Sequence, residues 1–233
     1  MRLFPNSLSI PVVLFAASVC PAIAYADLPG DPLAMARTAS LDGPIYAFDM
    51  TYRLGDMIAE GRIDPTYPEG QRINIKSPAR REWTDDFEQA VERLDAQADG
   101  NIWCQEYLKH VPEDAEPAAR TDTSVTYTFT PKPEPDADGA EKKLFRSLIG
   151  TAVIDAKSPA LLSFQIHLPA PMKPNLMAKV NHFSMFVQCE RAPDGRTYRA
   201  DLDLEVEGSA IGQSFAQKTQ QRIYRLFEPA NPE

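Results

Sequence analysis

The sequence predicts a mainly β protein of the α+β type. The expected form is a strongly curved antiparallel sheet, or half-barrel, of about nine strands, with one main helix covering its concave face. Three observations carry that expectation. Apolar and polar residues alternate with period two over most of the chain, the pattern of strands with one buried and one solvated face. One segment switches to helical spacing. The strand connections are mostly turns too short for the crossovers that parallel strands require. Several strands also exceed ten residues, and antiparallel strands of that length must twist and curl.

Composition sets the outer limits. The chain has 233 residues, 43% apolar and 24% charged. That is globular, and it excludes collagen, a coiled coil, a disordered tail and a polytopic membrane protein. The 33 Asp and Glu outweigh the 24 Lys and Arg, for a net charge of −9. A nucleic-acid partner needs the opposite footprint.

Residues 1–26 read as a cleaved signal peptide. Arg2 is the basic start, Leu8 to Val19 the apolar run, and Ala24-Tyr25-Ala26 the small-x-small cleavage site. Pro11 and Pro21 interrupt the run, well short of the ~20 apolar residues that span a bilayer. Cys20 is not a lipid anchor, because Ala17-Ser18-Val19 lacks the Leu and the small −1 residue of a lipobox. Cleavage after Ala26 implies a periplasmic or secreted protein with no transmembrane span. Residues 27–44 form an N-terminal arm with a helical turn near Pro32 to Arg37, and 45–233 a single curved-sheet domain.

The elements follow in order. Tyr46, Phe48, Met50, Tyr52 and Leu54 alternate with Asp49, Thr51 and Arg53, which makes Ile45 to Leu54 a half-buried strand. Met57 to Ile63 and Arg72 to Lys76 are two more, with the Pro65 to Gly70 turn between them. Phe87, Ala90, Val91, Leu94 and Ala98 stripe one helical face. Thr84 or Asp85 caps that helix, and Gly100 ends it. A short helical piece carries Trp103, Tyr107 and Leu108, and Pro112 to Thr121 is an acidic connector. Val125, Tyr127 and Phe129 mark the next strand, and Pro131 to Glu141 is read as a loop. Strands then run over 146–156, 162–168, 179–190, 198–207 and 215–227. Gly208 to Gly212 is a bend or bulge that either kinks a strand or starts a new one.

The catalytic inventory is thin. His110, His167 and His182 have no His or Cys partner at ligand spacing, and no P-loop, G-x-S-x-G or H-E-x-x-H is present. Asp201 and Asp203 alternate with Leu202 and Leu204, so they read as a solvated strand face. No catalytic residue, metal or cofactor is expected, and the chain is read as a non-enzyme. Cys104 and Cys189 remain after cleavage. Two Cys in an exported protein suggest one disulfide. Two buried free thiols are the alternative.

The apolar faces are the richer signal. Tyr46, Phe48, Met50, Tyr52, Tyr127, Phe129, Phe164, Phe183 and Met185 form a bulky inner surface. Individually each reads as core. Collectively they exceed what one helix can cover, which makes them the candidate lining for a lipid or other apolar ligand.

This layout of signal, curved antiparallel half-barrel and helical cover over Ile45 to Phe227 resembles the periplasmic lipoprotein-carrier superfamily of LolA and LolB. The resemblance is one of element order. It implies acyl-chain binding in the concavity. A Cys104–Cys189 bridge departs from it, since pinning the lid would limit opening. The alternatives are an envelope interaction or scaffold domain with a filled core, whose partner would be another envelope protein, and a hydrolase.

Overall fold

The computed structural model describes residues 30–228. The expected signal peptide, with Cys20 and the first residues of the arm, lies outside them. The fold is mainly β. Ten strands make one antiparallel sheet that is not closed into a barrel.

The strands are β1 (Ala47–Leu54), β2 (Met57–Ile63), β3 (Ile73–Ser77), β4 (Pro117–Arg120), β5 (Ser124–Phe129), β6 (Ile149–Asp155), β7 (Leu161–His167), β8 (Ala178–Arg191), β9 (Thr197–Ala210) and β10 (Gln213–Phe227). Among the described residues three α-helices accompany them: α1 (Pro32–Thr38), α2 (Asp85–Gln97) and α3 (Gly139–Phe145). A 3-10 segment runs over Cys104–His110. The sheet order is β3-β2-β1-β10-β9-β8-β7-β6-β5-β4. Each strand thus neighbours its sequence neighbour, except that β1 pairs with β10 and β3 and β4 form the two edges.

Two elements correct the sequence expectation. The acidic connector contains β4, which makes the count ten. Its four residues are all exposed, so no buried face imprints an alternation. The loop read over Pro131 to Glu141 ends in α3, capped by Asp138 on the backbone N–H groups of Ala140 and Glu141. Gly208 to Gly212 is resolved too. β9 runs on to Ala210, and Ile211-Gly212 is the two-residue turn into β10.

Register shifts at Asp49/Met50, Val153/Ile154 and Gln188/Cys189 bend the strands and increase their local twist. At one end the sheet splits. β10 pairs with β9 up to Arg222–Asp201, then continues beside β1 alone. The space beside β9 is filled by the chain before the 3-10 segment: Arg199 N–H donates to the Ile102 carbonyl at 2.8 Å, and Trp103 bridges to Tyr198. Cys104 follows at once and is bonded to Cys189 on β8, with a Cα–Cα distance of 6.2 Å. The two cysteines are paired, as the sequence suggested.

Two apolar clusters cover the inner face. The first gathers β5 to β8 under α1 and the 3-10 segment, with Tyr127, Phe164, Val187, Leu33 and Leu108 at its centre. The second gathers β1, β2 and β10 under α2, with Phe48, Met50, Tyr52, Phe87 and Ile223. The arm crosses the first cluster. The Tyr127 hydroxyl donates to Asp31 at 2.7 Å, and Arg37 donates to the carbonyls of Val111 and Pro112. Burial first, and then Asp31, push the Tyr127 phenol well above its ordinary pKa.

Candidate functional site: an apolar trough beside α2

Residues directly opposite in an antiparallel ladder share a face. One cross-strand row therefore runs along the inner face through Tyr127, Ala152, Phe164, Val187, Leu202, Gln221, Tyr52 and Ala59. Its two ends are buried, while Leu202 and Gln221 in the middle are half-exposed. The next row passes through Ile166, Met185, Leu204, Thr219, Leu54 and Met57, and a shorter one through Phe183, Val206 and Gln217. Met185, Leu204, Phe183 and Val206 are all half-buried. An apolar trough thus lies along β8, β9 and β10, between the two clusters.

α2 forms one wall. Thr84 caps it by accepting from the Phe87 N–H, and Asp85, Asp86 and Glu88 favour its positive N-terminal end. Phe87, Ala90 and Val91 pack on β1 and β2. Near its far end the buried Asp95 accepts from the backbone N–H groups of Gly70 and Ile73, which ties the helix to the β2–β3 loop. Asp86, Gln89, Arg93 and Gln97 recur at three- and four-residue spacing, so they run along one side of the helix.

That side borders two cavities. A cavity of about 820 Å³ sits at the start of α2, lined by Leu54, Met57, Phe87, Arg93, Phe215 and Gln217 among others. One of about 550 Å³ sits at its end, with Phe48, Met50, Leu202, Ile223, Lys109 and Arg199 in its wall. Both are bordered by β10, through 215–218 in the first and through Gln221 and Ile223 in the second. Each lies in the volume range of ligand pockets. Gly208 shapes the outer end. A Cβ there would stand 2.8 Å from the Phe215 ring, so the missing side chain lets that ring lie across the sheet.

Charged groups of both signs line the two cavities, Asp56, Asp86, Arg93 and Lys218 the first and Asp99, Lys109 and Arg199 the second. Arg199 donates to the Tyr107 hydroxyl at 3.1 Å, and Tyr107 stacks on Phe164. Lys109 is paired with Glu134 at 2.7 Å, a contact that raises the Lys109 pKa. Arg93 is exposed on the helix wall.

The sequence-predicted lining divides. Tyr46, Phe48, Met50, Tyr52, Tyr127, Phe129 and Phe164 are buried in the clusters. Of these, Phe48 and Met50 also reach the smaller cavity. Phe183 and Met185 lie on the trough floor. The floor also includes Leu202, Leu204, Val206 and Phe215, which the sequence marked as strand residues but not as lining. Their alternation is the same whether a helix covers them or not.

The histidines and the Asp201–Asp203 pair sit outside both cavities. His182 lies 3.8 Å from Glu205, with both side chains more than two-fifths exposed. His110 contacts the Lys132 carbonyl and lies 3.7 Å from Glu134. Asp201 pairs with Arg222, and Asp203 accepts from Gln220, on the outer face. Among the described residues no cluster of three His, Cys, Asp or Glu is placed to hold a metal ion. No helix there is long and apolar enough to cross a membrane. No family model matches this chain, and no curated protein or solved structure matches it.

Proposed function

We propose that this is an exported periplasmic protein that binds an apolar ligand, a lipid or acyl chain, in the trough beside α2. One observation carries the reading. Leu202 enters the wall of the cavity of about 550 Å³, Leu54, Met57, Phe87 and Phe215 line the one of about 820 Å³, and Phe183, Met185, Leu204 and Val206 are half-buried on the same sheet face. Water over such a floor is displaced favourably, by roughly 25 cal/mol per Å² of apolar surface covered. Met185 and Met57 adapt to chains of differing shape. Arg93, Arg199 and Lys109 stand along the rim, where an anionic head group is held while the chain lies on the floor.

The test uses a fluorescent fatty-acid probe on the purified protein, together with native mass spectrometry of protein taken from the periplasm. A co-purifying lipid and saturable probe binding are expected. Leu204→Trp with Val206→Trp fills the floor, and is expected to weaken probe binding more than about tenfold while the far-UV circular dichroism stays unchanged. Absence of both ligand and probe binding in the unmodified protein sinks the proposal.

A second reading, a scaffold domain that binds an envelope protein, draws support from one fact. Seven of the nine predicted lining side chains are buried against protein. A recurrent crosslinked partner from the periplasm, together with a probe-silent trough, favours it.

A further inference from the structure

The three most exposed large apolar side chains among the described residues are neighbours. Leu176 is fully exposed, Ile211 is 81% exposed and Met177 is 66% exposed. They meet where the β8–β9–β10 ladder ends, with the Ile211 N–H donating to the Met177 carbonyl at 2.9 Å. Contiguous apolar surface of this kind marks an interaction site.

Ile211 carries a second signal. It occupies the first position of a two-residue hairpin turn at φ 50°, followed by Gly212 at φ 78°. Turns of this kind call for Asn-Gly or Asp-Gly, because both residues take positive φ. A β-branched residue there is strained. The position therefore holds a residue that is costly to the fold and useless to the core.

Charge completes the picture. The tip itself, 171–182 and 208–213, contains Lys173 and Lys179 and not one Asp or Glu, in a chain of net charge −9; the nearest acid on the ladder is Glu207, opposite His182. Lys173 and Lys179 are exposed beside the tip. Lys143 of α3 reaches over to donate to the Lys173 carbonyl at 2.6 Å. Apolar side chains flanked by two exposed lysines fit the interface of an anionic bilayer, where each Lys near the surface attracts and its stem packs among the acyl chains.

We infer that this tip docks on an anionic lipid surface, with Leu176, Met177 and Ile211 inserted and Lys173 and Lys179 on the head groups. The Phe215 end of the trough then faces the membrane. Docking does not require the trough to take a ligand, so the two properties are measured separately.

The experiment is vesicle flotation of the purified protein. Vesicles of phosphatidylglycerol and phosphatidylethanolamine are compared with pure phosphatidylcholine. The protein is expected to float with the anionic vesicles and to be released by high salt. Ile211→Asn is the decisive variant. It is expected to raise the melting temperature, because Asn accepts positive φ, yet to lower vesicle partitioning by about tenfold. Lys173→Glu with Lys179→Glu is expected to lower binding to anionic vesicles by about tenfold or more. The inference is overturned if the unmodified protein does not float, or if Ile211→Asn floats equally well. It is also overturned if sedimentation shows instead a dimer of this chain that Ile211→Asn abolishes.

Discussion

The two apolar clusters are built from the same strand chemistry, yet the larger cavities, about 820 and 550 Å³, lie beside α2, and those beside α1 and the 3-10 segment are about 310 and 340 Å³. Under α1 and the 3-10 segment, Val125, Tyr127, Ala152, Ile154, Phe164 and Val187 are entirely buried. Under α2, the wall beside Phe87 and the floor beside Leu202 border cavities. The difference lies in how the covers are fastened. The first cover is held by the Cys104–Cys189 bond, by Arg37 on two carbonyls and by Tyr127 on Asp31. Arg196, in the turn before β9, ties the end of the arm at the edge of the second cluster, donating to the carbonyls of Leu41 and Pro44 and lying 3.5 Å over the Trp103 ring. The second cover is one amphipathic helix, tied at its far end by the buried Asp95 and near its start by the half-exposed Glu88 on Arg80. A lid with many ties packs down on its sheet. A lid with one buried tie leaves room beside it, and room is what a ligand needs.

The largest expected effect breaks the side under α1 and the 3-10 segment. The bond spans 85 residues, and replacing both cysteines by Ser removes about 4.5 kcal/mol on the chain-entropy account. Urea unfolding measures the loss, and the comparison predicts that it exceeds any single core truncation under α2. A matched pair of truncations sharpens the point. Phe164→Ala, in the first cluster, should cost about 4 kcal/mol, because its neighbours are held and cannot collapse into the void. Phe87→Ala, already bordering a cavity, should cost nearer about 3 kcal/mol. Equal costs would say that the two clusters are equally well packed, and the contrast would fail.

The smallest effect tests the outer tie of the α2 side. Asp49 on β1 is only 4% exposed and is held by Arg62 of β2 and Lys76 of β3. The hydrogen bond from Arg62 lowers its carboxyl pKa; burial opposes this, and Lys76 reinforces it. A lowered folded pKa stabilises above the ordinary value of 3.8. The gain is lost as pH falls through the folded value. Asp49→Asn should therefore cost about 1 kcal/mol near neutral pH, since both partners are partly solvated. The gap from the unmodified protein should shrink as the pH drops below 3.8.

Much of the sheet was legible because a half-buried strand writes its burial into alternate residues. β2 over Met57–Ile63 and the α2 stripe from Phe87 to Ala98 are read directly that way. β4 was not, since all of its residues face solvent. α3 was hidden behind the Pro- and Asp-rich stretch before it. The site was legible only in kind. Leu204 and Phe164 look alike in sequence as inner-face residues. Which of them is sealed depends on where a distant helix comes to rest, and local pattern holds no record of that. Ile211 is hidden for the opposite reason: its neighbouring glycines announce a turn, and which residue of that turn takes positive φ is set by the hairpin register.

The pairing of β1 with β10 sets a schedule. A ribosome finishes Leu54 roughly 165 residues before the Thr219 that it will face. At about 5–20 residues per second, that interval is on the order of ten to thirty seconds. β2, β3 and α2 are made early and can assemble on β1, but one edge of β1 stays bare throughout. A bare edge is a template for the wrong strand. During synthesis the molecule is thus two unfinished sheets, and β10 is the seam that makes them one.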